Sequence, residues 1–420
     1  MINHIANICK IPSISVEQLD NNLPFGSNAN DALDFALNLA KSFNFETYKD
    51  SKNRYGFAQI GQGKKILGIL VHLDVVPAGD EKQWKTSAFV PVIADDRIIA
   101  RGSLDDKGPA IINMYAMKYI LDNNLISNDW TIRIIFGISE ETTMKSMKYY
   151  LEDFGHPDVS YTPDGEWPLI FAEKLIYQAN FIFNKIDNFV INGGSVANQI
   201  PDKVTFSIND EVQTIYGISG HGSTPNKGEN AIIKSINEIL KNKGHFINFD
   251  LFKFIHNNFK NNDFSMPSVF KNFEDFSGKL TANIGIIKTN RNSHVITTDF
   301  RVPVSKSIND VSKAIQEYLT SNFNNVKFEV SGTKNAMFMP VDSKLVKLLI
   351  DTYNEGMKTN EIPIAIGGGT YARIVKNCVA FGSTKYMHVM HGPNEFFLFD
   401  EIKKSLEIYI NTLIRIQEEL

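Results

Sequence analysis

The residues of this chain that could do chemistry are placed unevenly along it. His72 and Asp74 close the apolar run KKILGILVHLDVV, and Asp105 and Asp106 stand just before KGP. Glu140 and Glu141 follow a second apolar run, WTIRIIFGIS; Asp164 follows the short segment DVSYT, and His391 opens HGPNE. Imidazoles and carboxylates without a thiolate make a donor set suited to Zn²⁺ or Mn²⁺. Each position alone has a plainer explanation. An acidic pair at a helix start offsets the helix dipole, an Asp before KGP can cap a helix, and a histidine after an apolar strand is usually a hydrogen-bonded core residue. Yet burying an imidazole and a carboxylate costs several kcal/mol unless each finds a partner. Strand alternation sends His72 and Asp74 to the same face. Capping alone does not account for so many strand ends carrying the same kind of side chain. A shared site does.

Other chemistries lack their signatures. There is no HExxH, so a zincin helix is excluded, and no GxSxG elbow for a serine hydrolase. The Gly-rich IGGGTYARI has neither GxGxxG nor GxxxxGK[ST], which leaves a nucleotide-binding reading without its fingerprint. Net charge is −4 over 420 residues, with no long Lys/Arg run, so nothing favours nucleic acid or an anionic membrane as partner. The two cysteines, Cys9 and Cys378, cannot build a disulfide framework. No segment has the ~20 apolar residues of a membrane helix, and no signal peptide is read at the N-terminus. The expectation is a soluble, cytoplasmic protein.

The elements that must position these residues are legible as patterns. The first ~175 residues alternate strand-like and helix-like segments, which argues for a mixed, mostly parallel sheet with flanking helices. DALDFALNLAKSF has helical spacing, a strand is expected over 65–71, and KGPAIINMYAMKYILDNN reads as a helix with Pro109 in its first turn. EETTMKSMKYYLEDFG reads as a helix beginning at the acidic pair and closed by Gly155. In an open α/β sheet, sites form outside the carboxyl ends of the strands. Near residue 178 the texture changes to exposed-type strands, the amphipathic helix ENAIIKSINEILKN, a hairpin turning at 290–292 and a further helix and strand. That order predicts an α+β insert of ferredoxin type. From about residue 336 the α/β character returns. The expected organisation is a discontinuous catalytic domain, 1–177 and 336–420, carrying an inserted domain, 178–335.

HLDVVPAG, ARGSLDDKGP, SEET, TPDGEWP, SGHGSTPNKGENA, DFRVP, GGGTYAR and MHGPNE occur in this order. The set resembles the M20 family of metallopeptidases, and within it the PepV-like bacterial dipeptidases. The resemblance implies two divalent metal ions, Zn²⁺ in first place and Mn²⁺ as the alternative. Asp105 would bridge them, His72 and Asp164 would complete one site, and Glu141 and His391 the other. Glu140 would be the general base, and Asp74 would fix the His72 tautomer through its second ring nitrogen. His221, on a lid loop, would stabilise the oxyanion, and Arg301 would clamp the substrate carboxylate. Asn198, Gly368 and Thr370 would add substrate contacts, and the Asp105–Asp106 peptide would be cis. The sequence departs from the usual family pattern in Thr142–Thr143 after the glutamate pair and in His-Gly-Ser at 221–223.

The function expected on these grounds is hydrolysis of unblocked dipeptides or short peptides, by a monomer or homodimer. The alternative on the same metal centre is an N-acyl amino acid deacylase of desuccinylase or deacetylase type. A catalytically inactive peptide-binding homologue is the reading from another class.

Overall fold

The computed structural model describes residues 1–18, 22–260 and 263–420. The chain forms two compact units. One comprises Met1–Phe171, Phe338–Ile364 and Gly369–Leu420; the other comprises Ala172–Met337 with Ala365–Gly368.

In the first unit, the main run of a nine-stranded sheet has the order Glu46–Lys49, Gly56–Ile60, Trp130–Gly137, Lys65–His72, Val159–Thr162, Cys378–Ala380. The last four of these are mutually parallel, and the first two join antiparallel at the edge. Strand Lys65–His72 has a parallel neighbour on each side and is buried from Leu67 onward. Burial on both faces explains its unbroken apolar sequence, which shows no polar alternation. Its last residue, His72, stands in register with Gly137 at the end of the neighbouring strand. Helices Lys107–Asp122, Lys344–Met357 and Phe399–Glu419 flank this sheet.

A small three-stranded sheet matters for the site. Phe396–Leu398 pairs antiparallel with Arg97–Ile99, which in turn pairs with Val92–Ile93. That pairing brings loop 391–395 beside loop 100–106, although almost three hundred residues separate them in sequence.

The second unit is built on a seven-stranded antiparallel sheet in the order Glu211–Tyr216, Lys203–Ile208, Phe189–Gly193, Thr281–Thr289, Ser293–Val302, Leu175–Asn184, Lys327–Lys334. Alternate residues of Leu175–Asn184, from Leu175 to Phe183, join a core with helices Ala231–Asn242, Asp250–Phe259 and Ile308–Asn322. The expected helix–sheet layering is present, on a sheet wider than the four strands of a ferredoxin unit. The helix expected from Glu140 begins later, at Lys145, because Met144 adopts a left-handed conformation (φ 54°) and residues 139–144 form a turn. No helix among the described residues is long and apolar enough to cross a membrane.

Candidate metal centre

His72, Asp74, Asp105, Glu140, Glu141, Asp164 and His391 all belong to the first unit, and its strand ends bring them together. Asp105 is shared between two imidazoles: its Oδ1 lies 2.9 Å from His72 Nε2 and its Oδ2 lies 2.9 Å from His391 Nε2. Asp164 Oδ2 is 3.7 Å from His72 Nε2, and Glu141 Oε1 is 3.2 Å from His391 Nε2. Ligand atoms of His72, Asp105 and Glu141 lie within 4.8 Å of one another, as do those of His72, Glu140 and Asp164.

The backbone explains why these side chains converge. The Asp105–Asp106 peptide is cis, as the family resemblance implies. Asp106 occupies the N-cap position of helix Lys107–Asp122 but makes no side-chain cap; its Oδ2 accepts the His72 N–H at 3.0 Å and ties the helix start to the strand end.

For Asp74 the structure corrects the expectation. The His72 tautomer is set by the Asp74 main-chain carbonyl, 2.9 Å from Nδ1, while the nearer carboxylate oxygen is 3.7 Å away. The Asp74 carboxylate instead accepts the N–H of Glu140 at 3.0 Å and of Glu141 at 3.1 Å. A fully buried carboxylate thereby fixes the backbone of the glutamate pair, which lies ahead of the helix and not in its first turn.

Arg101 and Glu395, two residues that motif reading missed, hold the loops of the cluster together. They form a buried ion pair at 2.6 Å. Glu395 Oε1 accepts the N–H of Leu104 at 2.8 Å and of Asp105 at 3.2 Å, and Arg101 Nη2 donates to the His391 carbonyl at 3.2 Å. The pair locks the Asp105 loop to His391, which sits in the left-handed region at φ 61°. Both residues lie inside the quoted motifs; the available signal was an arginine and a glutamate in segments otherwise rich in glycine and apolar residues.

Electrostatically the cluster holds more carboxylates than imidazoles. Burial, reinforced by Asp164, Glu141 and Asp74, pushes the Glu140 carboxyl well above the usual range against the opposing His72. Burial and Asp105 raise Glu141 and Asp164 as well. Burial disfavours charge on both histidines, yet the carboxylates outweigh it and hold His72 and His391 well above the ordinary imidazole value. Asp105, although buried, is held low by His391 and His72.

The donor set fits divalent cations. His72 Nε2, Glu140 Oε1 and Glu141 Oε1 are buried and have no hydrogen-bond partner among the described residues, despite the short approaches given above. Buried polar atoms are ordinarily paired. Two ligands each ~2.1 Å from one tetrahedral ion stand about 3.4 Å apart, close to the spacings seen here. The set would hold two cations, with Asp105 common to both.

The family model described as peptidase family M20/M25/M40 matches residues 68–415. The chain belongs to that family. It is a metallohydrolase of the peptidase class. This M20 chain is 28% identical to a provisionally named dipeptidase of Staphylococcus aureus strain USA300, over 98% of its own length and 96% of the relative's. Its fold matches the dipeptidase Dug1p of Saccharomyces cerevisiae with a TM-score of 0.63 at 13% identity, covering 100% of this chain and 96% of the other. It also matches the Bacillus subtilis YXEP protein, described as a dinuclear metal-binding peptidase, with a TM-score of 0.56 at 9% identity, covering 100% and 98%.

The remaining expected site residues are placed as follows. Thr370 is in the first unit, where its hydroxyl accepts the Ala372 N–H and caps the short helix Tyr371–Arg373. His221, Asn198, Arg301 and Gly368 are in the second unit. Arg301 is almost wholly buried there; its Nε donates to Asp299 at 2.7 Å and its Nη1 to the Gly367 carbonyl. His221 is exposed, and its Nδ1 is engaged by Ser223.

Proposed function

We propose that this chain hydrolyses the peptide bond of unblocked dipeptides or short peptides at a two-metal centre held by His72, Asp105, Glu141, Asp164 and His391. The observation that carries the reading is the single carboxylate of Asp105 placed between two imidazoles, with the unpartnered Glu140 Oε1 alongside. Two divalent cations bound there, Zn²⁺ in first place and Mn²⁺ as the alternative, would polarise the scissile carbonyl and acidify a water.

The protein's own part follows from its geometry. Glu140 accepts a proton from the attacking water at a carboxylate oxygen as that water's oxygen bonds to the carbonyl carbon. When the C–N bond breaks, Glu140 delivers the same proton to the leaving amine nitrogen. Asp74 keeps the Glu140 backbone still throughout, through the N–H that its carboxylate accepts. His221 acts as a hydrogen-bond donor to the substrate carbonyl oxygen as negative charge develops there. Arg301, with Nε and Nη1 already committed, offers Nη2 to the substrate carboxylate, and Asn198, Gly368 and Thr370 supply further substrate contacts.

The test is a substrate panel with and without added Zn²⁺ or Mn²⁺, comprising free dipeptides, N-acetyl and N-succinyl amino acids, and a C-terminal dipeptide amide. Metal-dependent cleavage confined to free dipeptides is the expected result. Cleavage of the acylated compounds alone would overturn the substrate class. Silence with metal shown to be bound would favour a binding protein.

A further inference from the structure

Helix Ile2–Cys9 ends shortly before Pro12, which cannot continue it, and the chain behind it folds tightly. The Ser13 N–H donates to the Ile11 carbonyl at 2.9 Å and the Ile14 N–H to the Pro12 carbonyl at 2.8 Å, two successive γ-turn bonds. This segment lies against the turn that follows strand Lys65–His72. Ser13 Oγ donates to the Leu73 carbonyl at 2.5 Å, and the Ser13 carbonyl accepts the Val75 N–H at 3.1 Å. Ser13 therefore grips the backbone immediately before and immediately after Asp74. Ser13, Leu73 and Asp74 are wholly buried, so no water replaces a bond lost there.

Asp74 depends on that grip because its backbone and its side chain both serve the cluster. Its carbonyl meets His72 Nδ1, and its carboxylate accepts the Glu140 and Glu141 N–H groups. Both contacts follow the path of residues 73–75. The Leu73 N–H donates to the Gly137 carbonyl at 2.9 Å. Leu73 is thus held through its N–H by the neighbouring strand and through its carbonyl by Ser13.

A second anchor comes from Lys107, the residue after the cis Asp105–Asp106 peptide. Its side chain is wholly buried, and its Nζ donates to the Ile11 carbonyl at 2.7 Å. It passes against Gly102, where an added Cβ would stand 2.9 Å from Lys107 Cδ and 3.0 Å from Val75 Cγ1. The N-terminal segment is joined to two parts of the cluster: to the Asp74 turn through Ser13, and to the Asp105 loop through Lys107.

We propose that Ser13 is a positioning residue of the metal centre: from an N-terminal segment that Lys107 anchors, it brackets Asp74 and so fixes that residue's carbonyl on His72 and its carboxylate on the glutamate pair. Its effect on metal binding rests on the two-cation part of the reading above, and its effect on turnover on the dipeptidase part.

The test is Ser13→Ala in the full-length chain, with zinc affinity measured by competition against a chromophoric chelator and stability by urea unfolding of the metal-free protein. The control is Ser405→Ala, which removes a buried bond of the same kind, from Ser405 Oγ to the Ser383 carbonyl at 3.4 Å, on helix Phe399–Glu419. Zinc affinity should fall about 10-fold in Ser13→Ala, the lower end of the range for residues that orient metal ligands, because Ser13 acts through Asp74. Ser405→Ala should bind zinc as wild type does, whatever it loses in urea. With zinc saturating, kcat of Ser13→Ala on a free dipeptide should fall on the order of 10-fold with KM little changed. Lys107→Met takes a positive charge from beside the cluster, which by charge alone would tighten zinc binding; loss of the anchor should weaken it instead. Zinc affinity within about twofold of wild type in Ser13→Ala, a loss matched by Ser405→Ala, or tighter zinc binding in Lys107→Met would overturn the proposal. Should zinc affinity fall as expected while wild type cleaves no dipeptide, the positioning role stands and the substrate reading falls. A wild type that binds neither zinc nor manganese would overturn the two-cation reading and this proposal with it.

Discussion

Replacing Arg101 by methionine tests how the site is anchored. The guanidinium is 1% exposed and its partner Glu395 is fully buried, 2.6 Å away. Removing one member of such a pair leaves a charge stranded in the interior, at a typical cost of 3–5 kcal/mol. Glu395 keeps two N–H donors, Leu104 and Asp105, which stabilise its charge. Burial already raises its carboxyl above the usual value, so part of the cost is relieved by protonation. Both effects place the expected loss near the lower end, about 3 kcal/mol. At ~2–4 °C per kcal/mol for a domain of this size, the melting midpoint should fall by roughly 6–12 °C. Urea unfolding followed by tryptophan fluorescence reads this directly, because Trp84, Trp130 and Trp167 all lie in the first unit. Arg101→Met combined with Glu395→Gln should recover much of the loss, since no charge is then stranded. Zinc affinity should weaken roughly 10–100-fold in the single variant, as for other residues that orient metal ligands. A single variant within ~0.5 kcal/mol of wild type, or a double variant no more stable than the single, would refute the reasoning.

Asp74→Asn keeps one acceptor for the Glu140 and Glu141 N–H groups and loses the other, so kcat should fall on the order of 100-fold with KM little changed in steady-state assays. Gly137→Ala would place a Cβ 2.0 Å from the Tyr371 hydroxyl, beside His72, and should cost about 1–3 kcal/mol in denaturant unfolding. In the second unit, burial and Lys185 lower His294 from 6.5 to about 4, and its neutral Nε2 accepts the Ile186 N–H. Because the native ring resists a proton that the unfolded chain takes up, this contribution is complete above pH 6.5 and is lost as pH falls towards 4. It amounts to about 3 kcal/mol, and His294→Gln should flatten the stability profile across that window by the same amount.

Among the candidate metal-centre residues, His72, Glu140, Glu141 and Asp164 were legible because they stand at or just past the ends of apolar strands, where a charged side chain has no packing reason to be. The parallel sheet was legible for the same reason: a strand buried on both faces has an unbroken apolar run. What eluded sequence reading was the contact made by each polar atom. Residue types place Asp74 near His72, but only the backbone path shows its main-chain carbonyl on the imidazole and its carboxylate on the Glu140 and Glu141 amides. Periodicity extended the following helix back to Glu140, because nothing in EETTM marks the left-handed turn at Met144. Arg101 and Glu395 meet through the pairing of Phe396–Leu398 with Arg97–Ile99, a long-range register that short strands do not announce. For the same reason the four residues Ala365–Gly368, within an α/β segment by their sequence, belong structurally to the second unit, where Gly367 meets Arg301.

The most direct measurement is made on Glu140→Gln, with bound metal counted by elemental analysis and turnover of a free dipeptide measured on the same preparation. The account predicts two equivalents of divalent metal, as in wild type, and a kcat lower by about 10²–10⁴-fold, the range for loss of a general base. Turnover within a few-fold of wild type would contradict the assignment of Glu140, and loss of the metal would show that it is a ligand.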